Sequence, residues 1–123
     1  MIESAFPIIS TTDLRRLLGF YEDLLQGTVT YQFPAEGPPE FVSLSLGAST
    51  VGIAEDPEAS TSGGQRFSLW VYVNDCDGIV DLVRARGLGV IEEPADQPWG
   101  ERVARVSDPD GNVVILGQRQ ELR

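Results

Sequence analysis

The sequence has no histidine, no lysine and a single cysteine, Cys76, in 123 residues. The missing histidine removes the commonest metal ligand and the commonest acid–base group near neutral pH. Without lysine, Schiff-base chemistry on a lysine amine is excluded. One cysteine cannot close an internal disulfide, which fits a reducing compartment, so the cytoplasm is the expected location. Apolar runs stay short of the ~20 residues that a helical membrane span needs. The opening MIESAFPIIS has no basic region ahead of an apolar stretch. Positive charge is scarce too: nine arginines face nineteen acidic residues, a formal charge of −10. Such a field disfavours nucleic acid and anionic membranes as partners and attracts cations, and it also keeps a small protein soluble.

What is present suits one small domain over residues 1–123, long enough to bury roughly two-thirds of its extended surface. Phe6-Pro-Ile-Ile-Ser-Thr-Thr reads as a strand, with a helix start at Thr12-Asp13. Leu14, Leu17, Leu18, Tyr21, Leu24 and Leu25 recur at three- and four-residue spacing, which predicts an amphipathic helix over 14–25 stopped at Gly27. Strands are expected at 28–33, 40–46 and 49–55, with a turn-rich stretch at 34–39. The order then repeats. A strand at 67–73 precedes a helix capped by Asn74-Asp75 and running to about Arg86, with Ile79, Leu82 and Val83 as its buried stripe and Gly87 at its end. A strand at 90–92, a loop at 94–100 and strands at 101–107 and 112–118 follow. Asp108-Pro-Asp-Gly-Asn makes the last hairpin turn, with Gly111 free to adopt positive φ. Two βαβββ repeats, at about 5–55 and 66–118, are thus offset by about 60 residues and joined by the polar linker 56–65.

Two motifs inside this plan carry a resemblance. Asp13-Leu-Arg-Arg-Leu-Leu-Gly-Phe-Tyr-Glu-Asp-Leu-Leu looks like a first-helix signature, and Pro98-Trp-Gly-Glu-Arg-Val followed by Asp108-Pro-Asp-Gly-Asn-Val-Val looks like a C-terminal hairpin. Both resemble the vicinal oxygen chelate superfamily, the glyoxalase, bleomycin-resistance and extradiol-dioxygenase group. The resemblance covers 6–117. It implies an α+β fold in which two βαβββ modules form a curled, cup-shaped mixed sheet with helices outside, and chains that pair as homodimers.

Strand alternation then assigns faces. Val42, Leu44, Leu46, Leu69, Val71, Val73, Ala104, Val106, Val114 and Leu116 are expected in the core. Phe41, Ser43, Ser45, Ser68, Trp70, Tyr72, Arg105, Val113 and Ile115 are expected on the opposite, concave side. In metal-dependent members of the superfamily four cup-facing positions carry His, Glu or Gln. The resemblance places these at Phe6, Gly52, Ser68 and Ile115, none of which is a usable ligand for a divalent metal. Glu3, Glu40, Glu55 and Glu101 lie near those strands but show no converging spacing. Glyoxalase, extradiol-cleavage and fosfomycin-type thiol-transfer chemistry all need the metal, so no metal or other cofactor and no catalytic residue is expected.

The ligand-binding residues expected are Phe6, Phe33, Phe41, Trp70, Tyr72, Trp99, Arg105 and Ile115, with Ile8 and Tyr31 nearby. An aromatic cup of this kind can stack a planar molecule. The leading reading is non-catalytic sequestration of a small aromatic or cationic molecule, as bleomycin-resistance-like proteins do. The alternative is a lyase or isomerase, metal-free or with a carboxylate-only site, using Tyr72, Arg105 and Glu55. Cys76 lies between Asp75 and Asp77, which should raise its pKa and keep it unreactive. Gly47–Gly52 joins two strands and is not followed by a helix, so it is no phosphate loop.

Overall fold

Each helix begins at an aspartate held in nearly the same backbone conformation, Asp13 at φ −144°, ψ 88° and Asp75 at φ −143°, ψ 87°. Asp13 Oδ1 accepts from Arg16 N at 3.2 Å, and Asp75 Oδ1 accepts from Gly78 N at 3.0 Å. These caps satisfy backbone N–H groups that have no partner inside a helix. A second bond, also duplicated, ties the helix start to the sheet. Leu14 N donates to Glu55 Oε2 at 3.0 Å, and Cys76 N donates to Gln118 Oε1 at 2.8 Å.

The computed structural model describes residues 6–59 and 68–120. They divide into two units, Met1–Ser62 and Gly63–Arg123. In the first, β1 (Ile8–Thr11) leads to α1 (Leu14–Leu18), which runs on as π-helical turns through Gly19–Leu24; β2 (Thr28–Phe33), β3 (Phe41–Leu46) and β4 (Ser49–Glu55) follow. In the second, β5 (Leu69–Tyr72), α2 (Cys76–Ala85), β6 (Val90–Asp96), β7 (Glu101–Ser107) and β8 (Val113–Arg119) repeat the order. Both sheets are four-stranded and mixed, ordered β1-β4-β3-β2 and β5-β8-β7-β6. The first strand of each lies parallel to the last, and the other pairings are antiparallel. This is the expected α+β class, with βαβββ connectivity in each repeat.

One face of each sheet packs on its helix. Leu14, Leu17, Phe20, Tyr21 and Leu24 are buried in the first unit together with Val42, Leu44, Val51 and Ile53. Cys76, Val80 and Val83 are buried in the second, with Ala104, Val106, Val114 and Leu116. Leu46, Leu69, Val71 and Val73 are half-buried, on the expected side.

The helices depart from expectation in informative ways. The first was read as one α-helix over 14–25, but Leu25 N bonds Phe20 O at 3.0 Å, an i→i+5 contact. The wider turn lets adjacent Phe20 and Tyr21 both face the core, with ring centroids 4.9 Å apart in an edge-to-face pair. Leu18 and Leu25, read as core, are only half-buried. Gln26, at φ 62°, supplies the left-handed step at the helix end, not Gly27. Gly27 is required for close packing instead: a Cβ there would sit 2.7 Å from Leu46 Cδ2 and 2.8 Å from Tyr21 O. In the second helix the buried stripe is Cys76, Val80 and Val83, while Leu82 is 49% exposed and Ile79 half-buried. The strand read at 90–92 extends to Asp96, shortening the loop before Glu101. Phe67 and most of the linker lie outside the described residues.

The tie from Glu55 to Leu14 generates a test. Glu55→Ala leaves the Leu14 N–H without its acceptor and is expected to cost about 1 kcal/mol. Glu55→Gln should recover it, since Gln118 performs the same task in the other repeat. Urea midpoints at constant m-value measure both.

Candidate functional site

The face of each sheet away from its helix is built in cross-strand rows. In the first unit Ile8, Gly52, Ser43 and Tyr31 form one row, and Ser10, Ala54, Phe41 and Phe33 the next. The Phe41 ring lies down over Gly52, where a Cβ would come within 3.0 Å of Cε2 and Cζ and 3.1 Å of Ile8 Cγ1. Tyr31 and Phe41 have ring centroids 6.2 Å apart at a 56° tilt. Tyr31 and Phe33 stand exposed, as does Phe6 just before β1.

In the second unit Trp70, Ile115, Arg105 and Glu92 share one row, and Tyr72, Gly117, Val103 and Ala95 the next. The Trp70 indole lies over Gly117, whose absent Cβ would meet Nε1 at 2.7 Å. Trp70 and Tyr72 meet edge to face at 5.8 Å, and Arg119 Cζ sits 3.8 Å from the Tyr72 ring centroid. Trp70 and Tyr72 remain 38% and 46% exposed despite these contacts. Beside them a recess of about 160 Å³ is lined by Tyr72, Val73, Asn74, Gln118 and Arg119.

Most of the expected site residues therefore belong to two groups. Phe6, Phe33 and Phe41 belong to the first unit, and Trp70, Tyr72, Arg105 and Ile115 to the second. The structure adds detail for three of them. Ile115, expected as part of an apolar floor, is 6% exposed and lies between its strand partners Trp70 and Arg105. Arg105 is engaged by Glu92, Nε to Oε2 at 3.3 Å, rather than presented alone. Trp99, 62% exposed in the turn before β7, donates through Nε1 to Glu101 Oε1 at 2.7 Å. Arg119 and Asn74 border the recess and were not among the expected residues. Continuing the alternation of Ile115 and Gly117 by one more step would have found Arg119, but the strand had been read as ending at residue 118.

The positions assigned to metal ligands do not fit a metal. Gly52 has no side chain and lies under the Phe41 ring, Ile115 is buried hydrocarbon, and Phe6 and Ser68 offer a phenyl ring and a neutral hydroxyl. Among the described residues no group of three or more His, Cys, Asp and Glu could hold an ion. Asp108 is a turn residue: Oδ1 accepts from Asp110 N and Asn112 N, both at 2.9 Å, and Gly111 has φ 85°.

Two electrostatic features are structural. Arg102 bridges Asp77 (2.7 Å) and Asp96 (3.0 Å), and its hydrogen bonds hold both carboxyls below their usual range. Burial, more than the neighbouring Asp77 and Asp75, pushes the Cys76 thiol up.

With this geometry in view, the chain belongs to the Glyoxalase/Bleomycin resistance protein/Dioxygenase superfamily, whose family model matches residues 5–116. Among solved structures it is similar to TioX from Micromonospora sp. ML1, at 22% identity and a TM-score of 0.75, covering 98% of this chain and 99% of that one. A protein of unknown function from Agrobacterium tumefaciens str. C58 is similar at 24% identity and a TM-score of 0.77, over 98% and 96% of the two chains. The fosfomycin resistance protein FosX from Mesorhizobium loti is similar at 17% identity and a TM-score of 0.73, over 98% and 95%. At these identities the likeness is one of fold. No curated protein matches the sequence. Among the described residues no helix is long and apolar enough to cross a membrane.

Two outcomes follow from the electrostatics. Asp77 and Asp96 have folded pKa values below their unfolded ones, so their stabilisation is present above about pH 4 and lost as pH falls through the lowered values. Melting curves of Arg102→Gln should therefore lie below wild type at pH 7, and the gap should narrow in acid. Cys76 should react with iodoacetamide at pH 7.5 at least about tenfold more slowly in the folded protein than in urea.

Proposed function

We propose that this protein binds a small planar aromatic molecule without a metal, and does so without chemically changing it. The carrying observation is what occupies the places where metal-dependent relatives put ligands. Gly52 is a seat for the Phe41 ring and Ile115 is floor beneath exposed aromatics. Aromatic faces half-open to solvent, each resting on a glycine, offer flat apolar area that is already oriented before a ligand arrives. The similarity to a fosfomycin resistance protein is compatible with a protective role but supports only the shared fold. The −10 charge attracts cations at long range, but it does not by itself fix the charge of the group a ligand presents to the site. Homodimer formation and a cytoplasmic location belong to the same proposal.

The enzymatic alternative loses support from its own candidates. Glu55 ties down the start of α1, Arg105 pairs with Glu92, and Tyr72 lies against Arg119.

Titration with acridine orange and with bleomycin-, mitomycin- and quinoxaline-type compounds tests the reading. Indole quenching should survive in Trp99→Phe, and Trp70→Leu should weaken calorimetric binding about tenfold, the scale of one lost stacking contact. Flat titrations with every compound up to millimolar concentration would sink the proposal. Stoichiometric divalent metal in the purified protein would overturn its metal-free part.

A further inference from the structure

The second unit holds a cation that the first repeat does not. Strand position places Asp56 in the first repeat where Arg119 stands in the second, and Ser10 where Tyr72 stands. Arg119 also differs from the other arginines of its unit whose ion pairs are described. Arg84 pairs with Glu93 and Asp81, Arg102 with Asp77 and Asp96, and Arg105 with Glu92. Arg119 has no carboxylate partner among the described residues; its guanidinium lies on the Tyr72 ring.

A cation over a ring face keeps its in-plane N–H donors free for an acceptor when the two planes stack. Tyr72 is in turn in contact with Trp70, and Trp70 is seated on Gly117, so the ring beneath the cation is backed by the sheet. The adjoining recess contains the Asn74 carboxamide, which has no hydrogen-bond partner among the described residues, while the Gln118 oxygen is committed to Cys76 N. Glu101, directly across the strand pair from Arg119, turns its Oε1 to the Trp99 indole instead. Among the described residues no carboxylate lines the recess.

We propose that this recess receives the carboxylate of an aromatic acid, with Arg119 and Asn74 as its donors and the ligand's ring beside Trp70. The inference rests on the aromatic-binding reading above and specifies the ligand's charge: the acidic surface acts at long range and is screened beyond about 8 Å at physiological salt, whereas recognition here is by direct, charge-assisted contact.

Isothermal titration of the full chain with 2-naphthoate and with its neutral isostere 2-naphthamide tests it. The acid should bind at least about tenfold more tightly than the amide. Arg119→Gln should bring the two within twofold, and a thermal melt matching wild type at pH 7 shows that the variant is folded. Arg119→Lys keeps the charge without the planar fork and should restore only part of the preference. Equal binding of acid and amide by wild type, or a preference that survives in Arg119→Gln, overturns the proposal and leaves aromatic binding standing. If neither naphthalene compound binds and the titrations with acridine orange and the bleomycin-, mitomycin- and quinoxaline-type compounds are also flat, the aromatic-binding reading fails and this inference fails with it.

Discussion

The fold of each repeat depends on a bond between its first helical N–H and the side chain that closes its last strand. β1 and β2 lie at opposite edges of one sheet, as do β5 and β6 of the other, so the chain must cross a sheet face between them. The helix makes that crossing, and its start is fixed twice: by the aspartate cap, and by Glu55 or Gln118 reaching from β4 or β8. With the helix held there, one sheet face becomes core. Strand alternation then commits every second side chain to the other face.

That other face is shaped by glycine as much as by aromatic residues. Gly52 and Gly117 each allow a neighbouring ring to lie along the sheet instead of standing away from it. At position 52 the absence of a side chain both leaves no donor atom and accommodates the Phe41 ring. At position 117 the seated indole supports Tyr72, and Tyr72 supports Arg119. The two repeats share a backbone plan but not a surface: rings and hydroxyls line the first, and aromatics with arginines the second.

Much of this was legible in advance because it follows from local periodicity. Strand limits at Thr28–Phe33, Ser49–Glu55 and Glu101–Ser107 came directly from alternation and turn residues. The aspartate caps, the left-handed glycines at 87 and 111 and the duplicated order were equally readable. The inaccuracies arose where packing overrides pattern. A π-helical turn changes which neighbours face inward, so Phe20 joined the core unannounced and Leu18 did not. Helix α2 buries Cys76, Val80 and Val83 against its sheet, a stripe offset from the one the apolar spacing suggested.

The sequence alone determined the family resemblance, the α+β repeat, the lack of histidine and the parity that sends Trp70 and Tyr72 away from the core, because each depends on residue identity and short-range order. Only tertiary structure decided that Glu55 is a helix tie, and that Arg119 lies on Tyr72 while Arg105 pairs with Glu92. Those outcomes are set by which side chains meet across strands far apart in the chain, and their distances appear only once the sheet has formed.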